Sequence, residues 1–547
     1  MCGINGFNFR DKTLLQNMNA ATSHRGPDFS GEYYADTLSL GHNLLSIRAV
    51  DDISKQPYVL DGHIILAFNG QVYNTKKLIE KLQNAGVMLD NSKIQLDTYV
   101  LYESIKKFGP SIIEEVFGMF AIAYFDTRDK NIYIYRDSSG QKNLYYYHKS
   151  NTFIFSSEIK GILEHDVDRA VDDFAVFVST SLGYIPADKT LFAHIRKVQP
   201  SECLIYNTEK HTLKKSFITP KTADYFSGDF SDNIKKLVNE HLQSKDKISI
   251  NLSGGLDSSL LLHEAHRNGY DIDSYTTSFD IPGDEKTYNE DAELARKLSA
   301  DYKTTHKEIH ITKKDYFDNF IESYTCIEEP NYNISLPVYL ITAKTEGAQG
   351  DKKRVTLSGD GGDEIFGGYS YYLQHALIDG KIKKYTPVLY TILSFLRSKF
   401  TGSTFINNLI LEERWGHMKT LSKMFARNKY SHTEFVNFIK DSFAYYKNIF
   451  CKKDPQRKDP VYTSMLLDRY YWLASENFIR SDKLYGSQSM EVRSPFAYEP
   501  FRDYVDHLVP SDMYINEQNN KLFLRKYAES VLPEYIVKRP NKTGWRA

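Results

Sequence analysis

The 547 residues carry 69 Lys and Arg against 70 Asp and Glu, a net charge of −1, so no bulk field draws the protein to nucleic acid or an anionic membrane. Hydrophobic residues at 41% and charged residues at 25% are ordinary for a globular chain, and the length suffices for roughly two to four domains. Cys2, Cys203, Cys326 and Cys451 form no CxxC pair or Cys/His cluster, and the N-terminus has no charged and apolar leader; this argues against a disulfide framework, a zinc site and export, and predicts a reduced, cytoplasmic protein.

The chain opens MCGINGF. If Met1 is removed, Cys2 carries a thiol and a free α-amine together, and an amine titrating near about 8 can take the thiol's proton. Taken alone, Cys2 reads more simply as a small apolar residue at the start of a buried strand. Up to residue 160 the chain is rich in short alternating runs, HIILAFNG, GMFAIAYFD, NIYIYRD and NTFIFSSE, separated by turn residues, which predicts antiparallel strands.

Past residue 210 the pattern changes. KISINLSGG (247–255) predicts a buried strand entering a glycine turn, LDSSLLLHEAHRNGY a helix, IDSYTTSF a strand, NEDAELARKLSA a helix and THKEIHI a strand, the alternation of a parallel α/β sheet. RVTLSGDGGDEIFGGY (354–369) repeats the strand and glycine turn, and from about 370 onward the pattern is largely helical. The polar stretch at 205–225 marks a boundary that divides the chain into domains at 1–210 and 225–547. GKIKKYTPVLYTILSFLRSKF (380–400) is too short in apolar residues to cross a bilayer, which needs about 18. It reads as a helix covering a core, with a membrane-surface helix as the alternative.

LSGGLDSS (252–259) places small residues where a strand meets a helix start, so that backbone N–H groups and serine hydroxyls can approach an anion. No lysine follows in the manner of a P-loop. The pattern resembles the pyrophosphate loop of ATP pyrophosphatases, which cleave ATP to AMP and pyrophosphate. In LSGDGGDEIFGGY (357–369) three acidic residues crowd one glycine-rich turn, an arrangement that a Mg²⁺ bridging the pyrophosphate would relieve.

MCGI, SHRGPD (23–28), FNGQVYN (68–74), GMFAIAYFD, FSSEIKGI (155–162), LSGGLDSS, LSGDGGDEIFGGY and MEVRSPF (490–496) follow one another along nearly the whole chain. In this order they resemble the glutamine-hydrolysing asparagine synthetase family. The resemblance implies an α+β Ntn-hydrolase domain, a four-layer αββα sandwich acting as a class II glutamine amidotransferase, followed by an α/β parallel-sheet ATP-pyrophosphatase domain with a helical C-terminal part.

By the same resemblance Cys2 attacks the glutamine amide, Asn69 and Gly70 meet the oxyanion, and Asp97 holds the glutamine α-amine. Two positions depart from the family pattern. The usual HxRLSIVD is HNLLSIRA here, so the arginine expected to pair with the glutamine carboxylate is Leu44, and Arg48 could supply a guanidinium from another direction. The usual NGEIYN is NGQVYN, which puts Gln71 in place of a carboxylate. In the second domain Ser253, Gly254, Gly255, Asp257, Ser258 and Ser259 would hold the ATP phosphates, with Asp257 and Asp363 as Mg²⁺ ligands. Leu252, Thr277, Ser358 and Gly359 would line the adenosine, and Asp360 would lie by the adenylated intermediate. RPNKTGW (539–545) resembles the family's RPKxGF with one extra residue and makes Lys542 the expected cation of the adenylation step.

The expected ligands are glutamine, ATP, Mg²⁺ and a carboxylate, aspartate by default. The glutamine-site departures, the long interval between SGDGGDE and MEVRSPF, and an end two residues after Trp545 keep open a sugar uronate of surface-polysaccharide synthesis. A lipid-linked uronate would bring peripheral membrane contact, and a homodimer is compatible with the resemblance. A non-catalytic relative is the remaining alternative, against which intact Cys2, SGGLDSS and the acidic loop speak. Transfer of ammonia between two sites implies an apolar passage at the domain interface.

Overall fold

The computed structural model describes residues 1–48, 52–222, 225–280, 285–348, 354–372 and 460–539, with helical fragments at 434, 437–438 and 441. The 380–400 segment and Lys542 lie outside the described residues.

The first part holds β1 (Gly3–Phe7), β2 (Phe29–Ala35), β3 (Leu38–Leu44), β4 (Ile64–Val72), β5 (Gly118–Asp126), β6 (Asn131–Arg136), β7 (Tyr145–Lys149), β8 (Thr152–Ser156), β9 (Ile195–Lys197), β10 (Glu202–Asn207) and β11 (Thr212–Phe217). The four alternating runs named from the sequence are β4, β5, β6 and β8. The β10–β11 hairpin occupies the stretch expected as a polar boundary and carries the first domain past residue 210. The strands β1 to β11 assemble two sheets, β2-β3-β1-β8-β7-β9 and β11-β10-β6-β5-β4, in which every pairing is antiparallel. Because side chains alternate along a strand, each sheet offers two faces. Ile4, Leu40 and Phe155 from one sheet meet Ala67, Ala121, Ile134 and Leu204 from the other. The outer face of the second sheet packs Phe68 and Ile122 against Leu78, Val100 and Leu101 of the helices Thr75–Asn84 and Asp97–Phe108. Phe7 and Ile154 of the first sheet pack on Leu15 and Met18 of the helix Lys12–Ala21. The result is the expected four-layer αββα sandwich.

The second part builds β12 (Ile248–Asn251), β13 (Asp273–Phe279), β14 (His306–Ile311), β15 (Val355–Leu357) and β16 (Glu491–Arg493) into an all-parallel sheet of order β14-β13-β12-β15-β16. The helix Leu256–Arg267 connects β12 to β13, and the helix Glu285–Asp301 connects β13 to β14. β15 then returns to the opposite side of β12, so the order reverses between β12 and β15, the place where open parallel sheets bind ligands. Within this sheet, the strand the sequence pattern does not show is β16. Its three residues, Glu-Val-Arg, are too short for a period and too polar for a buried run, yet all three are buried at the sheet edge.

The two domains pack through one shared cluster. Leu45, Ile47, Tyr73, Phe117 and Met119 of the first pack in the same cluster as Phe226, Leu252, Phe496 and Tyr498 of the second. Among the described residues no helix is long and apolar enough to cross a membrane. Cys2, Cys203 and Cys326 are free thiols.

Candidate active site in two halves

The first half is strung along β4. Cys2 N–H donates to Asn69 Oδ1 at 3.0 Å, which leaves the Asn69 Nδ2 donor buried with no partner among the described residues. A buried donor without an acceptor is costly unless a ligand supplies one. Leu45 N–H points at Cys2 Sγ (3.4 Å), and Sγ lies 3.8 Å from Leu45 O. Burial pushes the Cys2 thiol above its ordinary range and drops the Met1 α-amine to about 5, so in this environment the amine is neutral at pH 7 and the thiol is not ionised on its own. Gly70 has φ +144°, and a Cβ there would meet Met119 O of the paired strand at 2.0 Å, so only glycine allows this approach. Asp97 opens its helix with Oδ2 accepting Val72 N–H and Oδ1 accepting Thr98 N–H, both at 3.0 Å. Leu44 ends β3 as a buried apolar residue, while the Arg48 guanidinium reaches the Gln71 side chain.

Arg25 of SHRGPD is fully buried behind Cys2. Its Nε donates to Cys2 O at 3.0 Å, Nη1 to Glu158 Oε1 at 3.0 Å, and Nη2 lies 2.9 Å from Asp482 of the second domain. Met1 itself is buried against Ala343, Tyr485, Met490 and Val492, all from the second domain.

The second half lies at the carboxyl ends of β12 and β15. After β12 the chain turns through Gly254 at φ +61°, where a Cβ would come within 2.7 Å of Leu294 Cβ, and enters its helix with Gly255 as cap. Ser253 and Ser258 close the loop through their hydroxyls at 3.1 Å, and Gly255 N–H donates to Ser253 Oγ at 3.4 Å. Ser259 is fully buried in the first turn. Leu252 N–H donates to Tyr275 O at 2.8 Å, which ties the loop to β13, and Thr277 follows two residues on, half-buried.

Gly359 and Gly362 bring the acidic loop against Asp257: a Cβ on Gly362 would stand 2.6 Å from its carboxylate. Ser358 N–H donates to Arg493 O at 2.9 Å, fixing the loop to β16, and Ser358 Oγ accepts Asp360 N–H at 3.3 Å. Asp360 Oδ1 accepts from Asn477 Nδ2 at 3.2 Å, while its Oδ2 is buried without a partner among the described residues.

The residue that sequence reasoning missed is Lys521. Its Nζ pairs with Asp257 and, at 2.7 Å, with Asp363 Oδ1. Burial alone would lower its pKa, but the two carboxylates outweigh burial and keep the ammonium charged well above the ordinary lysine range. Lys521 adopts φ +51°, a backbone conformation uncommon for a side chain of this size. No local motif marks it, because its partner Asp257 stands 264 positions earlier. Asp257 and Asp363 thus gather around one cation position with hard oxygen donors, the donor type Mg²⁺ takes when phosphate and water complete its shell. Among the described residues no group of three or more His, Cys, Asp or Glu is arranged to hold a metal by itself.

Known proteins resemble both parts of the chain. Residues 1–218 match the glutamine amidotransferase domain and residues 229–547 match asparagine synthase. Asparagine synthetase [glutamine-hydrolyzing] 1 of Bacillus subtilis is 25% identical over 566 residues, covering 98% of this chain and 86% of its own. A Methanocaldococcus jannaschii protein of like description is 31% identical over 451 residues, 76% of this chain and 84% of its own. Asparagine synthetase B of Escherichia coli is 28% identical over 371 residues, 64% of this chain and 60% of its own. With both domain types present in this order, the chain belongs to the glutamine-hydrolysing asparagine synthetase family.

Proposed function

We propose that the chain hydrolyses glutamine at Cys2 and uses the ammonia to amidate a carboxylate, aspartate first, that it has activated with ATP. The observation that carries this reading is the cation Lys521 held between the carboxylates of two separate glycine loops at the β12/β15 switch point.

In the first domain, removal of Met1 would turn the nitrogen held by Asn69 Oδ1 into the α-amine that takes the proton of the Cys2 thiol. Sγ attacks the glutamine side-chain carbonyl, and the oxyanion accepts from Asn69 Nδ2 and Gly70 N–H. Donors set in place before reaction are worth about 3–4 kcal/mol each in other acyl transfers. Ammonia leaves, and water hydrolyses the thioester to glutamate. The same removal clears a volume bordered by Ala343, Tyr485, Met490 and Val492, a largely apolar way into the second domain.

In the second domain the loop 253–259 grips the triphosphate by backbone N–H groups and hydroxyls. An acceptor carboxylate oxygen attacks the α-phosphorus, and pyrophosphate departs. Asp257 and Asp363 would hold Mg²⁺, which would neutralise charge on the leaving pyrophosphate. Lys521, in contact with both, places a further positive charge at the same point. Ammonia then attacks the acyl-adenylate carbon and AMP leaves, with Asp360 positioned to take the surplus proton through its unpartnered Oδ2.

A sugar uronate is the second reading, favoured by the side chains around Asp360. Asn477 touches it, Asn331 and Asn333 follow through Glu476, and the Glu476 charge is taken up by Arg480 at 3.0 Å. Carboxamides suit hydroxyl groups better than the paired charges of an amino acid. The deciding experiment follows pyrophosphate release with Mg-ATP, glutamine and either aspartate or a uronate sugar nucleotide. Release with aspartate supports the first reading. Release only with the uronate overturns it in favour of the second, and release with neither substrate contradicts both.

A further inference from the structure

We propose that Arg48, held by one carboxamide from each domain, is the anchor for the α-carboxylate of glutamine, and that Gln243 makes this anchor depend on the docking of the second domain. The proposal rests on the reading of the first domain as a glutaminase.

The geometry starts from β4. Residues two apart on a strand share a face, so Asn69 and Gln71 project together, about 7 Å apart along the chain. Asn69 reaches Cys2, and Gln71 reaches Arg48. With its oxygen turned toward the guanidinium, Gln71 accepts from Arg48 Nε at 2.6 Å and also from Nη2. Next to Gln71, the N–H of Val72 is accepted by Asp97, whose charge acts on the same guanidinium. A nucleophile, an acid for an α-amine and a guanidinium therefore border one short stretch of strand, the set of groups that an α-amino acid with a side-chain amide requires.

From the second domain, Gln243 Oε1 accepts from Arg48 Nη2 at 2.5 Å. The same segment clamps the neighbouring backbone: Lys245 N–H donates to Ile47 O at 3.0 Å, and Lys245 Nζ lies 3.1 Å from Ser46 Oγ. Arg493 fixes the segment in turn, its Nη1 donating to His241 O at 2.7 Å and Gln243 O at 2.8 Å.

Neither contact neutralises Arg48. Both partners are carboxamides, and among the described residues no carboxylate lies within ion-pair distance of it, whereas Arg25, Arg469 and Arg480 each have one. A half-buried guanidinium whose described partners are both neutral would gain a charge-assisted contact from an incoming carboxylate. Nη1 carries no hydrogen bond to a described residue and is the edge left to receive it. A glutamate at position 71 would pair with Arg48 and take that role away from the substrate, which gives a physical reason for the neutral side chain there.

The test measures ammonia release against glutamine concentration for the full chain with Met1 removed, and repeats it with 4-aminobutanamide, which is glutamine without its α-carboxylate and leaves 4-aminobutanoate in place of glutamate. In the parent protein glutamine should be preferred by about 10- to 100-fold in kcat/KM, the range of one charge-assisted hydrogen-bonded contact. Arg48→Leu should abolish most of that preference by raising KM for glutamine, and the near-isosteric Gln71→Glu should raise the same KM by about tenfold or more. Gln243→Leu should raise it less. An unchanged preference in Arg48→Leu, or full glutamine affinity in Gln71→Glu, overturns the anchor while leaving the glutaminase intact. Absence of ammonia release from glutamine by the parent protein overturns the glutaminase reading and the anchor with it.

Discussion

Arg25 Nη2 stands 2.9 Å from Asp482 Oδ2 across the domain boundary, while Arg25 Nε holds the carbonyl of Cys2 at 3.0 Å. One fully buried guanidinium thus joins Cys2 to the helix Phe478–Gly486 of the second domain. Arg25 keeps Glu158 when Asp482 is lost, so the cost is that of one buried charge-assisted contact, about 1.5–3 kcal/mol. Asp482→Ala should therefore lower the thermal midpoint by several degrees. It should also release more glutamate per pyrophosphate than the parent, because the Cys2 backbone loses its link to the second domain. Equal ratios in parent and variant would contradict this coupling.

Lys521 offers a sharper chemical test. Lys521→Met keeps the length of the side chain and removes the charge, leaving Asp257 and Asp363 to face each other. Pyrophosphate release should fall by at least about 100-fold, the effect of losing one preorganised charge contact. The fall should be in kcat more than in the KM for glutamine, which binds in the other domain. Glutaminase turnover retained alongside lost pyrophosphate release is the expected pattern, and unchanged pyrophosphate release would remove Lys521 from the mechanism.

Glu202 gives a pH prediction confined to stability. It is 1% exposed on β10, and burial raises its pKa to about 7, against Lys215 and the Gln199 N–H acting the other way. An acid whose folded pKa exceeds its unfolded value near 4.5 stabilises the fold in comparison with its ionised form below that value, and loses this as pH rises through 7. Two to three pKa steps correspond to about 3 kcal/mol. Glu202→Gln, which cannot ionise, should therefore be more stable than the parent at pH 8.5, with the difference shrinking toward pH 5. A gain of equal size at both pH values would show that ionisation of Glu202 is not its source.

Gly70 tests the oxyanion strand. Gly70→Ala would drive a methyl group to within 2.0 Å of Met119 O, so β4 and β5 must separate at the residue beside Asn69. The expected result is loss of glutamate release with a clear drop in thermal midpoint. A variant of parental stability and activity would mean that the strands part there without cost.

The sequence exposed this architecture unevenly, for physical reasons. HIILAFNG and GMFAIAYFD are long enough for the period of two to show, and they pair residue for residue as β4 and β5. LSGGLDSS and SGDGGDE were legible because a ligand loop at a strand end must be built from small residues, and both loops do meet at the switch point. β16 was not legible, since Glu491–Arg493 is short and charged at both ends, whereas the equally short Val355–Leu357 runs into a glycine turn that marks it. Lys521 was not legible either: its role arises from folding that brings it to Asp257, and nothing in its neighbours announces this. Arg48 was visible only as a departure from the family pattern, and the folded chain supplies what the string of letters could not, the two carboxamides that hold it. The expected cation Lys542 lies outside the described residues, and Lys521 stands between Asp257 and Asp363.

The most direct test of two coupled sites follows nitrogen itself. The Met1-processed protein would be given glutamine labelled with ¹⁵N in its side-chain amide, Mg-ATP, the carboxylate that supports pyrophosphate release, and an excess of unlabelled ammonium chloride. The account predicts that the product amide carries predominantly ¹⁵N in the parent protein and only unlabelled nitrogen in Cys2→Ala. A parent product whose label matches the mixed ammonium pool, or a Cys2→Ala product that still carries ¹⁵N, would contradict it.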